Sequence, residues 1–230
     1  MLRVIPWLAA ALMLLPAGCG RPLTQGELAF AQAIHGASVD ADRVRLVRGA
    51  LVGAVTFRRP ARPRVTCRER ILPPPTSDIV TARPAAVVIF NRVYFTTDWY
   101  LDDYMARYPE RINLIAAMLL AHEMTHVWQW QNRALTGYHP LKAAVEHGVS
   151  ADPYLFDPSA TRDFLDYGFE QQGAVVEEYV CCRALAPQAA RTRRLHDMLE
   201  AVFPVSTLPQ VPAHDVVLPW KDAEIEGICD

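Results

Sequence analysis

Residues 109–137 read PERINLIAAMLLAHEMTHVWQWQNRALTG and contain the most informative pattern in the chain. Pro109 and Glu110 suit the first turn of a helix, and Gly137 provides a stop at its far end. Between these limits apolar residues fall on nearly every face, so we predict a helix that lies buried at the centre of the domain. Because a buried polar group needs a dedicated partner, the polar residues of this helix are informative about function.

A His-Glu-x-x-His motif lies in the middle of this predicted helix, at His122, Glu123 and His126. Histidines four residues apart project from one face of a helix and can take two positions around a tetrahedral zinc ion. Glu123 can reach a zinc-bound water without ligating the metal, an arrangement that activates water for peptide hydrolysis. The alternative is that both histidines are hydrogen-bonded core residues, but one zinc ion would satisfy both rings at once. We therefore predict Zn²⁺ as the cofactor and Glu123 as the general base.

Zinc needs a third protein ligand, and the sequence offers one beyond the motif. A histidine at the sixth position after His126 would mark the metzincin pattern, but Asn132 occupies that position. Glu170 lies 44 residues beyond His126, a gap long enough for the chain to return, and it is our first choice. Glu177 lies two turns further along the same predicted helix face, where it could ligate the metal instead or orient a ligating histidine through its second ring nitrogen.

These residues also carry a family resemblance. The strings HEMTHVWQ at residues 122–129, YGFEQQ at 167–172 and EY at 178–179 resemble a bacterial family of zincin-like metallopeptidases, sometimes called Vgr-related proteins. The resemblance implies an α+β, zincin-like fold, in which the buried motif helix packs on a small mixed sheet and a second helix supplies Glu170 as third ligand. It implies no particular substrate. Thermolysin-like zincins have an acidic residue four positions after the ligand glutamate, and this chain departs from them with Ala174.

The segments around the motif predict short helices and strands. Helical patterns lie at residues 24–36, 141–147 and 164–186. Valine-rich or alternating patterns predict a strand or hairpin at residues 44–57 and another at 85–96. Proline-rich stretches predict an irregular loop at residues 58–78 and an extended segment from residue 204 onward that wraps the body of the domain.

The first 19 residues have the layout of a secretory signal. Arg3 is followed by an apolar run over residues 4–15 and then by small residues up to Cys19. The pentapeptide LPAGC at residues 15–19 resembles the lipobox of bacterial lipoproteins, in which the cysteine is acylated. We predict an exported protein, periplasmic or held at the outer membrane by a lipid on Cys19, with the functional domain at residues 20–230. The alternative is a plain signal peptide or a short membrane anchor.

Composition restricts the partners. The 230 residues fit one domain, with 51% hydrophobic and 21% charged residues, as in globular proteins. A formal net charge of −2 without a long basic run predicts no nucleic-acid partner, and we interpret the six arginines at residues 58–70 as a solvated loop. Beyond Cys19 four cysteines remain, an even number that suits disulfides, and the sequence leaves three pairings open. These are Cys67, Cys181, Cys182 and Cys229.

The predicted function is a zinc-dependent peptidase of the bacterial cell envelope that acts on peptides, proteins or peptidoglycan crosslinks. In zincins the substrate lies along an edge strand before the motif helix, which here corresponds to residues 85–97. A second hypothesis is a non-catalytic zincin-fold module for binding or secretion, and a third is a metal-free structural lipoprotein. The oligomeric state is not predicted. Five residues are candidates for stabilising an oxyanion, and the sequence does not rank them. They are Tyr138, His139, His147, Tyr154 and Tyr167.

Overall fold

Two long helices, α3 (Leu114–Gln131) and α6 (Phe169–Leu185), pack against each other at the centre of the fold. The computed structural model describes residues 20–50, 52–59, 61–149, 152–205 and 208–230. The predicted signal sequence, including Cys19, lies outside the described residues. Helices and small sheets together make the fold α+β, as predicted.

The other elements are short. The remaining α-helices of the described chain are α1 (Gln25–His35), α2 (Cys67–Ile71), α4 (Arg133–Thr136), α5 (Pro140–Val149) and α7 (Ala190–Glu200). Its strands are β1 (Arg45–Arg48), β2 (Val55–Arg58), β3 (Ile79–Ala82), β4 (Ala86–Ile89), β5 (Arg92–Phe95), β6 (Ile112–Asn113) and β7 (Val216–Val217).

A small mixed sheet supports one side of α3, in the order β1-β5-β4. β1 runs parallel to β5 with Leu46 opposite Val93, and β4 runs antiparallel to β5 with Val88 opposite Val93. These three side chains are buried and belong to the same apolar core as the inner faces of α3 and α6. The predicted hairpin at residues 85–96 is confirmed, and its first strand, β4, lies at an edge of this sheet.

Residues 44–57 form strands, as predicted, but not a hairpin. The two strands, β1 and β2, belong to different sheets, because β1 pairs with β5 and β2 pairs with β3. The chain turns away at Gly49, whose φ of 104° favours glycine, and the amides of Gly49 and Ala50 both donate to the carbonyl of Phe95. Local alternation therefore indicated strands, but long-range pairing chose their partners.

The motif helix starts later than predicted. Instead of forming its first turn at Pro109 and Glu110, the chain makes the short strand β6, which pairs in parallel with β7 about a hundred residues further on. Asn113 then caps the helix, because its side chain accepts a hydrogen bond from the backbone of Ala116 at 3.2 Å. The motif helix also ends earlier than predicted, at Gln131, and Gly137 in a left-handed conformation ends the short helix α4 that follows it.

The prediction of an irregular, solvated loop at residues 58–78 is wrong in part. This segment contains α2, which begins with a capping box between Thr66 and Glu69. Several of its arginines are paired with carboxylates rather than solvated alone, and the pairs are Arg58–Asp78, Arg62–Glu69, Arg64–Glu224 and Arg68–Glu177.

Two disulfides decide between the three possible pairings of the cysteines. Cys67 of α2 is bonded to Cys181 of α6, and the next residue of α6, Cys182, is bonded to Cys229 near the C-terminus. The sulfur atoms lie close together, but cysteines in disulfides offer no thiolate to a metal. The C-terminal segment packs on the body through β7 and Cys229, but it is not extended throughout as predicted, because Ala213–Asp215 form a 3-10 helix. None of the described helices combines the length and apolar character needed to cross a membrane.

Candidate metal centre

The two motif histidines bring their Nε2 atoms together on one face of α3. The Nε2 atoms of His122 and His126 lie 3.1 Å apart. Both side chains are buried, with 4% and 5% of their surface exposed. α3 is continuous here, so the four-residue spacing alone places the rings side by side.

Glu170 supplies the third donor from the first turn of α6. Its Oε2 atom lies 3.3 Å from the Nε2 atom of His122 and 3.3 Å from that of His126. Two ligands held about 2.1 Å from a tetrahedral ion stand about 3.4 Å from each other. The three donor atoms therefore have the separations that a zinc ion requires, and these residues fit Zn²⁺.

The charges at the site favour a cation. Glu123, Glu170 and Glu177 are each only 5% exposed. Burial lowers the pKa of His122, but its contacts with Glu170 and Glu177 outweigh burial and raise this pKa to about 10. The carboxylates thus stabilise positive charge between them, which a divalent ion can supply while leaving the histidine ring neutral for ligation.

The second ring nitrogen of His126 is oriented by two glutamines. Its Nδ1 atom lies 2.8 Å from Oε1 of Gln129, which is fully buried. The side-chain amide of Gln129 donates to Oε1 of Gln172 at 2.9 Å and to the carbonyl of Phe169 at 3.0 Å, so its oxygen has to face the ring. Nδ1 therefore carries the proton and Nε2 keeps its lone pair for a metal.

A carboxylate rather than an amide faces the second ring nitrogen of His122. Oε1 of Glu177 lies 3.4 Å from this Nδ1 atom, within ion-pair distance but not aligned as a hydrogen bond, and Nη1 of Arg68 lies 2.9 Å from Oε2 of the same carboxylate. Burial raises the pKa of Glu177, but the charge of Arg68 and the nearby His122 outweigh burial and hold it below its ordinary value. Glu177 thus occupies the position of a group that orients His122, whereas Glu170 occupies that of a ligand.

Gly173 lets the two helices approach closely enough for this arrangement. A Cβ atom at this position would lie 2.6 Å from Cε1 and 2.8 Å from Nε2 of His122. Such distances are shorter than any side chain tolerates, so only glycine leaves room for the imidazole.

Glu123 lies beside the candidate ligands on α3 and is buried with them. Burial raises the pKa of its carboxyl group, and the adjacent His122 and His126 offset part of this effect. A carboxyl group whose pKa lies closer to neutrality can both accept and return a proton.

Two of the five oxyanion candidates lie next to the histidines. The ring centroid of Tyr154 lies 5.7 Å from that of His122, and the ring of Tyr138 stacks on His126 at 6.1 Å. Burial and the nearby carboxylates raise the pKa of both phenols, so both stay protonated as hydrogen-bond donors.

The structure shows no such contact for the described side chains of the other candidates. Tyr167 packs edge-on against Phe156, and Nδ1 of His139 accepts a hydrogen bond from the backbone of Leu141. His147 belongs to α5.

Several residues of the site were not identified from the sequence. Two of them could have been found in the sequence. Gln129 follows His126 by three residues and so shares its helix face. Gly173 is a glycine within a helical pattern, which indicates close packing. The sequence gives no indication that Arg68 and Glu146 belong to the site, because they lie on other elements. The carboxylate of Glu146 in α5 accepts hydrogen bonds from the amides of Phe169 and Glu170, each at 3.1 Å, and so caps the start of α6.

Comparisons with known proteins relate the chain to a secretion protein. No family model matches. A stretch of 166 residues, 71% of the chain, is 27% identical to the type VI secretion system spike protein VgrG2b of Pseudomonas aeruginosa strain PAO1. This match covers only 13% of the length of VgrG2b.

Among solved structures, the effector domain of Pseudomonas aeruginosa VgrG2b is 26% identical, with a TM-score of 0.49 over 82% of this chain and 88% of that domain. The predicted resemblance to Vgr-related proteins is confirmed at the level of this sequence similarity. A zincin activity stays a prediction.

Proposed function

We propose that this chain is a zinc-dependent peptidase. The observation that supports it most is the convergence of three donor atoms, from His122, His126 and Glu170, at separations of 3.1–3.3 Å. Structural zinc sites are usually closed by four protein ligands, whereas catalytic sites have three and an open position. The cluster contains three donors among the described residues, which favours catalysis.

Zinc, when bound, would lower the pKa of a water molecule and polarise the scissile carbonyl. Glu123 would take the proton from the attacking water and return it to the leaving amine. Its burial suits this double role, because a raised pKa eases the return of the proton. The phenols of Tyr138 and Tyr154, whose rings lie near His126 and His122, would donate hydrogen bonds to the substrate.

The first experiment measures metal content and hydrolysis on the purified chain. We expect one zinc per chain, lost in the His122→Ala, His126→Ala double variant and strongly weakened in Glu170→Ala. Glu123→Gln should keep its zinc and lose hydrolysis of an unfolded protein or of peptidoglycan fragments by about 100-fold or more. Hydrolysis at the parental rate would remove Glu123 from the mechanism, and a parent without zinc would overturn the proposal.

A second candidate is a secretion-associated binding module that keeps the metal site without turnover. The observation that favours it is the similarity to VgrG2b, whose name states a role in secretion. This candidate predicts that the parent and Glu123→Gln bind zinc equally and that neither cleaves protein or peptidoglycan substrates. A protein partner would then replace the peptide substrate.

We further propose that the chain is exported to the periplasm, with Cys19 as a lipid attachment site. The layout of residues 1–19, the two disulfides and the similarity to a secretion protein support export. Cell fractionation tests it. The parent should sediment with membranes, whereas Cys19→Ser should be released into the soluble fraction; equal distribution of both would exclude a lipid anchor.

A further inference from the structure

Arg68 reaches the metal site from a part of the chain remote from the ligands. Its Nη1 atom donates to both oxygens of Glu177, at 2.9 and 3.2 Å, and so holds the carboxylate that faces Nδ1 of His122. The side chain of Glu177 is only 6% exposed, whereas that of Arg68 is 47% exposed. The charge of the buried carboxylate is therefore compensated in part by a half-exposed guanidinium.

The helix that carries Arg68 is bound firmly to α6. Cys67, the preceding residue, forms the disulfide with Cys181, one turn beyond Glu177 on α6. The backbone amide of Cys67 also donates to Oε2 of Glu178 at 2.8 Å. A helix of only five residues has little stability of its own, so these tethers determine where α2 lies.

We propose that Arg68 is a positioning residue of the metal centre and that the Cys67–Cys181 disulfide keeps it in place. The inference rests on the proposed zinc site. An exposed arginine pair is ordinarily weak, because the long side chain loses freedom when it pairs. Anchoring the adjacent residue covalently to α6 removes much of that freedom. The ion pair then persists, and Glu177 holds the His122 ring in the orientation for metal binding.

Zinc affinity, measured by competition with a chromophoric chelator, tests the role of Arg68. Loss of such an orienting partner typically weakens metal binding about 10–100-fold, and we expect the lower end of this range for Arg68→Leu. Arg68→Lys should restore part of the affinity because it keeps the charge. The visible spectrum of the cobalt(II)-loaded protein should shift in the leucine variant as the His122 ligand reorients.

Arg58→Leu is the matched control, since Arg58 forms an exposed ion pair with Asp78 away from α2. Its zinc affinity and cobalt spectrum should equal those of the parent. Parental affinity and spectrum in Arg68→Leu would overturn the inference.

The disulfide is tested by a double-mutant cycle. Cys67→Ser with Cys181→Ser should weaken zinc binding as much as Arg68→Leu does, and should add nothing in the Arg68→Leu background, because both act through one contact. Cys182→Ser with Cys229→Ser, which removes the other disulfide, should leave zinc affinity unchanged. Additive losses would disprove the link between the disulfide and Arg68. Should the serine pair not fold, Cys67→Ala with Cys181→Val provides the same comparison with an apolar pair.

These measurements separate this inference from the proposed activity. Zinc binding without hydrolysis would defeat the peptidase and leave the inference supported, because affinity and the cobalt spectrum are read without turnover. A parent chain that binds no zinc would overturn both.

Discussion

Replacing Gly173 by alanine tests the packing of the metal site directly, because it adds one carbon where the ring of His122 lies. The new Cβ atom would lie 2.6 Å from Cε1, 2.7 Å from Nδ1 and 2.8 Å from Nε2 of that ring. Carbon atoms pack best about 3.5–4.0 Å apart, so the ring has to move by roughly 1 Å. A zinc ligand tolerates a displacement of only about 0.2 Å.

The expected magnitudes follow from that displacement. Zinc affinity should fall by about 100-fold or more, which corresponds to roughly 2.7 kcal/mol. In the metal-free chain, overpacking costs about 1–3 kcal/mol, against a gain of about 1 kcal/mol for alanine over glycine within a helix. The free energy of unfolding should therefore stay level or fall by about 2 kcal/mol.

Chelator competition measures the affinity, and urea unfolding in excess chelator measures the stability. Ala174→Gly, on the next residue of α6, is the matched control. It should lose about 1 kcal/mol of stability through helix propensity and keep parental zinc affinity. If Gly173→Ala bound zinc like the parent and unfolded at a higher urea concentration, the added carbon would have met no ring and the packing described for His122 would be wrong.

Two other predictions concern the surroundings of the motif helix. Gln129→Leu removes the acceptor at Nδ1 of His126 and should weaken zinc binding about 10–100-fold, whereas Gln129→Glu, which keeps an oxygen there, should retain more; equal affinity of both variants would exclude an orienting role. His35, the last residue of α1, is buried with its Nε2 atom 3.3 Å from Oγ1 of Thr125 in the motif helix. Burial lowers the pKa of His35 from 6.5 to about 3, so the stability that its neutral ring contributes is fully present above pH 6.5 and is lost as the pH falls toward 3. Between pH 7 and pH 5 the free energy of unfolding should fall by about 2 kcal/mol through this residue, and urea unfolding of His35→Gln should not show that decrease. If the free energy of unfolding of parent and variant fell equally between pH 7 and pH 5, the prediction for His35 would be wrong.

Features that depend on neighbours along one helix or hairpin could be predicted from the sequence. His122 and His126 share a face because four residues make about one helical turn, and this relation holds whatever packs against the helix. The helix at residues 25–35 begins at its capping box for the same local reason. The hairpin at residues 85–96 also needed no distant information.

Contacts between groups far apart in the chain could be identified only from the folded structure. The packing of α6 on α3 places Glu170 at both Nε2 atoms and leaves Glu177 behind His122, a distinction that helical periodicity cannot make for two residues on one face. The start of α3 after β6 depends on the pairing of β6 with β7. The position of Arg68 beside Glu177 depends on a disulfide between cysteines 114 residues apart. Local sequence patterns do not predict such contacts, because the free energy of these contacts arises only when segments far apart in the chain bury their surfaces together.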